Sequence, residues 1–457
     1  MIRPVLPLLL CAVALTACRH APPPVVVDAP SPVAPAGTLW PAEPAIRVLL
    51  VDSVPSVTVV ARDPCRIEDP DGTVLARLAA GARFTLTVED GRVRWDEPNG
   101  AGGRRDFLRV EPDRPAGVLR IEAVPFGVGW WWAGTQDRDY QGRLAAFPRD
   151  DGRIEVVLTQ PLEDYLLGVV PSEIGPTAPL EAQRAQAVAA RSEALQALAS
   201  RKYAGPNHDI GSDVASQAFT GNTKRTVFSD EAVRSTRGLV MVFAGQPVSG
   251  YYASNCGGHS EDIRNVWPHR AGETAYWDLA GFDHAEPLAY DLMREEDLRR
   301  WLADSPPAHC NPRTSPVPDW ARANFRWERR VEAERLSAAV ARHRDIGTVT
   351  AIRAVRRGPS GRLIEVEFVG TKGTLALGPE LAIRQLFDPP LKSAAFVVDV
   401  EGPADRPAAF VLRGAGWGHG VGLCQTGAIV LAHRGVGFRD ILRHYYRSAS
   451  LEPAYPE

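Results

Sequence analysis

Pro179-Leu-Glu-Ala-Gln-Arg-Ala-Gln-Ala-Val-Ala-Ala-Arg-Ser-Glu-Ala-Leu-Gln-Ala-Leu-Ala-Ser200 reads as the one strong helix of this chain. Pro179 suits a first helical turn, Leu180, Ala187, Val188, Ala194, Leu195 and Leu198 recur at helical spacing, and Gly205 lies beyond the end. Its alanine-rich composition predicts close packing against a neighbour. Upstream the pattern changes to short alternating runs, Arg47-Val-Leu-Leu-Val51 and Ser56-Val-Thr-Val-Val60, with Asp-Gly turns at Asp71-Gly72 and Asp90-Gly91. That is hairpin patterning. A second β segment with Tyr140-Gln-Gly-Arg-Leu144 and a turn at Asp150-Asp151-Gly152 reaches about Val157. Downstream, residues 285–345 read as irregular and helical pieces, Val349 to Leu377 as strands around Pro359-Ser-Gly361, and Phe438 to Tyr446 as a closing helix. The expected class is α+β: a strand-rich core with one prominent central helix, preceded by a small β module over residues 46–115.

The composition agrees. With 457 residues, 45% hydrophobic and 23% charged, the chain is long enough for two to three domains at about 150 residues each and has the balance of a folded protein. Its 52 basic and 55 acidic residues leave a net charge of −3, so no broad field draws nucleic acid, which is not an expected partner. Gly 40 and Pro 39 favour loops and strands over helices.

The N-terminus reads as an address. Arg3 precedes the apolar run Val5 to Leu15, which ends in Leu15-Thr16-Ala17-Cys18 and is too short to span a bilayer. This ending resembles the bacterial lipobox, which implies a signal peptide over 1–17, lipidation at Cys18, anchoring in a membrane and a periplasmic location. From His20 to Ala45 eight prolines make residues 18–45 an expected extended tether.

Several motif classes are excluded. The run Gly414-Ala-Gly-Trp-Gly-His-Gly-Val-Gly422 offers no register of G-x-G-x-x-G and no surrounding βαβ unit. What remains is Leu162-Glu-Asp-Tyr-Leu-Leu-Gly-Val-Val-Pro-Ser-Glu173 leading into Glu181 to Arg191, then Ser216-Gln-Ala-Phe-Thr-Gly221, Tyr252-Ala-Ser-Asn-Cys-Gly-Gly-His259 with Val266-Trp267, Gly416-Trp-Gly-His-Gly-Val-Gly-Leu-Cys-Gln425 and His444-Tyr-Tyr446. In this order they resemble the stage II sporulation protein D (SpoIID/LytB) family over roughly residues 115–450. The resemblance implies a SpoIID-like catalytic domain over 116–450, with an insertion at about 275–345. It also implies a peptidoglycan lytic transglycosylase that cuts the β-1,4 bond between N-acetylmuramic acid and N-acetylglucosamine and leaves a 1,6-anhydro end. The partner is then the glycan strand. Part of the family is named for enhancing an amidase, so a non-catalytic glycan-binding protein with an amidase partner is the second reading.

Such a reaction needs one carboxyl, because the nucleophile is the sugar's own C6 hydroxyl. Glu173 occupies the family's catalytic position, with Val169, Val170 and Ile174 as apolar neighbours that favour its protonated form. A conventional hydrolase would need a second carboxylate, for which Asp164 and Glu181 are the candidates. Arg191 either orients Glu173 or substrate, or forms a structural pair elsewhere. Gln217, Tyr252, His419 and Gln425 carry uncharged hydrogen-bonding tips suited to sugar hydroxyl and acetamido groups. No cofactor is required.

Removing Cys11 and lipidating Cys18 leaves Cys65, Cys256, Cys310 and Cys424. Cys256-x-x-His259 could open a zinc site completed by Cys424, Cys310 or His419, but the spacing is a weak signal. The family often carries small residues where this chain has Cys256 and Cys424, so the two thiols are expected to face each other. An oxidising compartment favours a Cys256–Cys424 disulfide over zinc.

Overall fold

The computed structural model describes residues 39–97, 100, 102–130, 132–270, 281–284 and 289–456. Cys18 and residues 1–38 lie outside them. Residues 39–44, expected as the end of the tether, are instead docked on the body: the Leu39 and Trp40 N–H groups donate to the Ala454 carbonyl, and Glu43 accepts from the N–H of Glu163 and pairs with Arg237.

Twelve strands follow between residues 45 and 161: β1 (Ala45–Val54), β2 (Ser56–Ala61), β3 (Cys65–Glu68), β4 (Val74–Leu78), β5 (Arg83–Glu89), β6 (Arg92–Asp96), β7 (Gly102–Arg105), β8 (Leu108–Pro112), β9 (Val118–Phe126), β10 (Gly134–Gln141), β11 (Arg143–Pro148) and β12 (Ile154–Pro161). With β13 (Ile210–Gly211) they make a sheet in the order β13-β1-β12-β11-β8-β3-β4 and a second in the order β10-β9-β2-β5-β6-β7. Alternating burial along β1, β2 and β8 puts the apolar face of each strand into a shared core. Strands from both sides of residue 115 pair in both sheets, for example β1 with β12 and β2 with β9. The segment 46–115 is therefore not a separate module, because β1 and β12 satisfy each other's backbone groups.

Two helices come next, α1 (Leu162–Glu173) and α2 (Leu180–Ser200). α2 is the helix read from the sequence, although it ends on Arg201 in the left-handed conformation rather than on a glycine. Its small side chains let it be buried on all sides: Ala187, Ala190 and Ala194 face the core of the two sheets, while Ala185, Val188 and Ala189 face a second core with Val248, Tyr251, Val421 and Leu423.

The remainder is mixed. Where strands were expected, Val349–Arg357, Leu363–Gly370 and Gly373–Leu377 form a three-stranded sheet, and Phe438–Tyr445 is the closing helix. The 275–345 region holds helices Glu295–Asp304, Asp319–Phe325 and Ala333–Ala341, together with a strand, Arg326–Glu332, that pairs with Ala409–Ala415. The whole is a strand-rich α+β protein with several sheets. Among the described residues no helix is long and apolar enough to cross a membrane.

Candidate active site

Glu173 is the last residue of α1, and local sequence explains its position. Pro171 cannot donate to the Leu167 carbonyl, and Gly175 follows at φ +94, so the helix stops here. Gly168, with no Cβ, lets the Phe219 ring and the Gly221 carbonyl press against the helix. Ser172 Oγ meets Thr220 Oγ1 at 2.7 Å and fixes the same approach. The segment 216–221 is thereby laid along the end of α1, and the N–H of Ala218 donates to Glu173 Oε1 at 2.6 Å.

Two other donors reach the carboxyl. Gln425 Nε2 lies 3.5 Å from Glu173 Oε2 and donates to Gln186 Oε1 of α2 at 3.2 Å. The Tyr252 hydroxyl is the third. Its oxygen accepts from Gln217 Nε2 at 3.0 Å, and Gln217 Oε1 in turn accepts from the Tyr165 hydroxyl at 3.2 Å, which leaves the Tyr252 proton for Glu173. Burial pushes the Glu173 carboxyl up to about 7, against the opposing pull of these three hydrogen bonds and the Lys224 ammonium. The residue is half-buried rather than sealed.

Tyr252 and Gln425 come from distant sequence but neighbouring backbone. The short strands Tyr252–Ala253 and Leu423–Cys424 pair in parallel. Gly422, at φ +72, makes this possible, because a Cβ there would collide with the Tyr251 carbonyl. Asn255 and Trp417 exchange backbone hydrogen bonds just beyond.

Glu173, Gln217, Tyr252 and Gln425 are thus brought together, whereas Arg191 and His419 are not part of the group. Arg191 makes a buried bidentate pair with Glu163 at 2.8 and 2.8 Å, and that carboxylate also accepts from the Gly238 N–H and the Tyr455 hydroxyl. This is the structural alternative, not an orienting contact to Glu173. His419 packs its ring 4.8 Å from Trp267 and accepts from the Val421 N–H through Nδ1. Burial and the nearby Arg362 hold it neutral, pushed down to about 3. Glu181 is bound by Arg184 and the N–H of Phe438, and Asp164 is exposed on the outer face of α1. Tyr165, Gln186 and Lys224 were not singled out from the sequence. Tyr165 and Gln186 lie inside the quoted helical motifs, but only the fold shows which way they face. Beside the Gly416–Gln425 loop, Trp132 stacks on Trp130 at 4.9 Å and meets Trp417 edge-on at 5.9 Å.

Among the described residues Cys65, Cys256, Cys310 and Cys424 are unbonded, with no sulfur–sulfur bond drawn between Cys256 and Cys424. The two do converge, with the Cys256 N–H donating to Cys424 Sγ at 3.3 Å, but a third thiol, Cys310, joins them at 3.6 Å from Cys256 Sγ. His259 turns away, its ring edge-on to Phe282 and Nδ1 on the Ser260 carbonyl, so it is no ligand of this group.

Residues 150–243 match the family model described as stage II sporulation protein. Over those residues the chain is a SpoIID-family domain. Residues 269–422 match a second model, a domain of unknown function designated DUF8618. Among relatives, an uncharacterised protein of Brachyspira hyodysenteriae is 26% identical over 319 residues, which is 68% of this chain and 72% of that protein. A stage II sporulation protein D of Bacillus amyloliquefaciens is 24% identical over 308 residues, 64% of this chain and 75% of the relative. A Bacillus subtilis protein named amidase enhancer is 24% identical over 305 residues, 63% of this chain and 40% of the relative. The SpoIID match contains Glu173, Gln186 and Gln217, while Tyr252 and Gln425 lie outside both matched regions.

Proposed function

We propose that this SpoIID domain is a peptidoglycan lytic transglycosylase with Glu173 as its single acid and base. The observation that carries the reading is the state of that carboxyl: half-buried, raised to about 7 and held by three hydrogen-bond donors. Burial keeps the proton on near neutral pH, and the donors stabilise the carboxylate once it leaves, so the proton is available and transferable. In the reaction Glu173 protonates the bridging oxygen as the C1–O bond breaks. The C6 hydroxyl of the same muramic residue closes on C1, and its proton returns to Glu173. No water is consumed, and a positioned acid of this kind contributes roughly 10²–10⁴-fold. The proposed setting is the periplasmic face of a membrane, with a lipid at Cys18.

The name of one relative supports a second reading, recruitment of an amidase. Digestion of denuded glycan strands and whole sacculi, followed by mass analysis, separates the two. The expected product is lighter by one water than the hydrolytic fragment and takes up no heavy oxygen from labelled water. Heavy-oxygen uptake would indicate a hydrolase. Intact strands with stimulated amidase would establish the second reading.

A further inference from the structure

We propose that Cys256, Cys310, Cys424 and Asp283 form a structural zinc site that clamps the two segments bearing Tyr252 and Gln425. One ligand atom from each of the four lies within 4.8 Å of all the others, and all four residues are buried. Zinc bonds to sulfur at about 2.3 Å, which in a tetrahedron sets sulfurs about 3.8 Å apart. The Cys256 and Cys310 sulfurs stand at 3.6 Å.

Backbone donors point at two of the sulfurs. Backbone N–H groups of Cys256 and Gly427 donate to Cys424 Sγ, and that of Gly258 donates to Cys256 Sγ, at 3.3, 3.4 and 3.4 Å. Cys424 also caps the helix Gln425–His433, whose N-terminus favours negative charge. Asp283 is oriented by the Cys310 N–H and the Tyr445 hydroxyl, at 3.1 and 2.8 Å, as hydrogen-bond donors behind a ligand orient a metal-bound carboxylate. Three soft sulfurs and one oxygen in a closed, buried set match zinc better than magnesium or calcium. Binding expels three thiol protons, one from each cysteine.

The clamp has a mechanical role. Cys424 directly precedes Gln425, and Cys256 follows Tyr252 by four residues, so the ion would tie these two of the three donors of Glu173 to Asp283 and Cys310. The site stands independently of whether Glu173 cleaves glycan.

The test uses the full chain, purified without chelators. One zinc per chain is expected by elemental analysis. Replacement by cobalt is expected to give the visible absorption of a tetrahedral thiolate centre. Cys310→Ser lowers zinc content at least tenfold, and chelation lowers the thermal midpoint of the wild-type chain by roughly 10 °C, restored by equimolar zinc. Wild-type protein that carries no zinc and binds none at equimolar addition overturns the proposal. So does a disulfide joining any two of the three cysteines in native material.

Discussion

At Glu173 two opposed effects meet and their sizes decide the outcome. Burial favours the neutral acid and three hydrogen bonds favour the carboxylate; burial prevails and the carboxyl is raised from 4.5 to about 7. Because the folded value is the higher one, the associated stability is complete below pH 4.5 and is lost as pH rises through about 7, a loss of at most ~3 kcal/mol. Glu173→Gln abolishes that dependence. Its thermal midpoint should exceed that of the wild type at pH 8 and match it at pH 4, while anhydro-product formation falls by at least ~10²-fold. With a single acid, kcat/KM should be flat at low pH and decline above about 7; a bell-shaped profile would instead reveal a second essential carboxyl. Tyr252→Phe removes a donor to the carboxylate, so the declining limb should move to higher pH as the rate drops. Glu173 and its apolar neighbours were readable in the sequence because they are contiguous. The contest between burial and donors was not, since Ala218, Tyr252 and Gln425 arrive from other parts of the chain.

Among the elements, α1 shows why a helix can escape a sequence reading. Gly168 and Pro171 both weaken it in isolation, yet the glycine admits the Phe219 ring and the proline helps end the helix at the site. Gly168→Ala should displace that ring and the Ala218 N–H with it, costing about 1–3 kcal/mol by chemical denaturation and lowering cleavage more than binding. The helix Gln425–His433 was missed for a different reason: Gln425 to Leu431 are all buried, so no polar face marks its period. α2 was legible because it is long and alanine-rich. Its Arg191 belongs to a buried pair with Glu163, and Arg191→Leu, which strands that carboxylate, should destabilise by about 3–5 kcal/mol while leaving the pH profile of the remaining folded enzyme unmoved.

For the whole molecule, the interleaving of strands across residue 115 is the decisive property. Deleting residues 46–115 removes β1, which lies between β12 and β13, along with most of the second sheet. The truncated chain should show no cooperative unfolding transition and should be digested rapidly by protease, whereas an independent module would leave a stable remainder. Strand patterning predicted the individual hairpins well, because alternation and Asp-Gly turns are local signals. It could not predict the pairing of β1 with β12 or the approach of Asp283 to three cysteines, since both depend on chain closure over long loops. The register of β1 also sets a schedule for biogenesis. Ala45 pairs with Pro161, so the ribosome delivers the partner roughly 6–25 s after the first strand at about 5–20 residues per second. Throughout that delay an apolar ribbon has no mate, and a chain bound for the periplasmic face must be kept shielded longer still, until both strands have crossed the membrane.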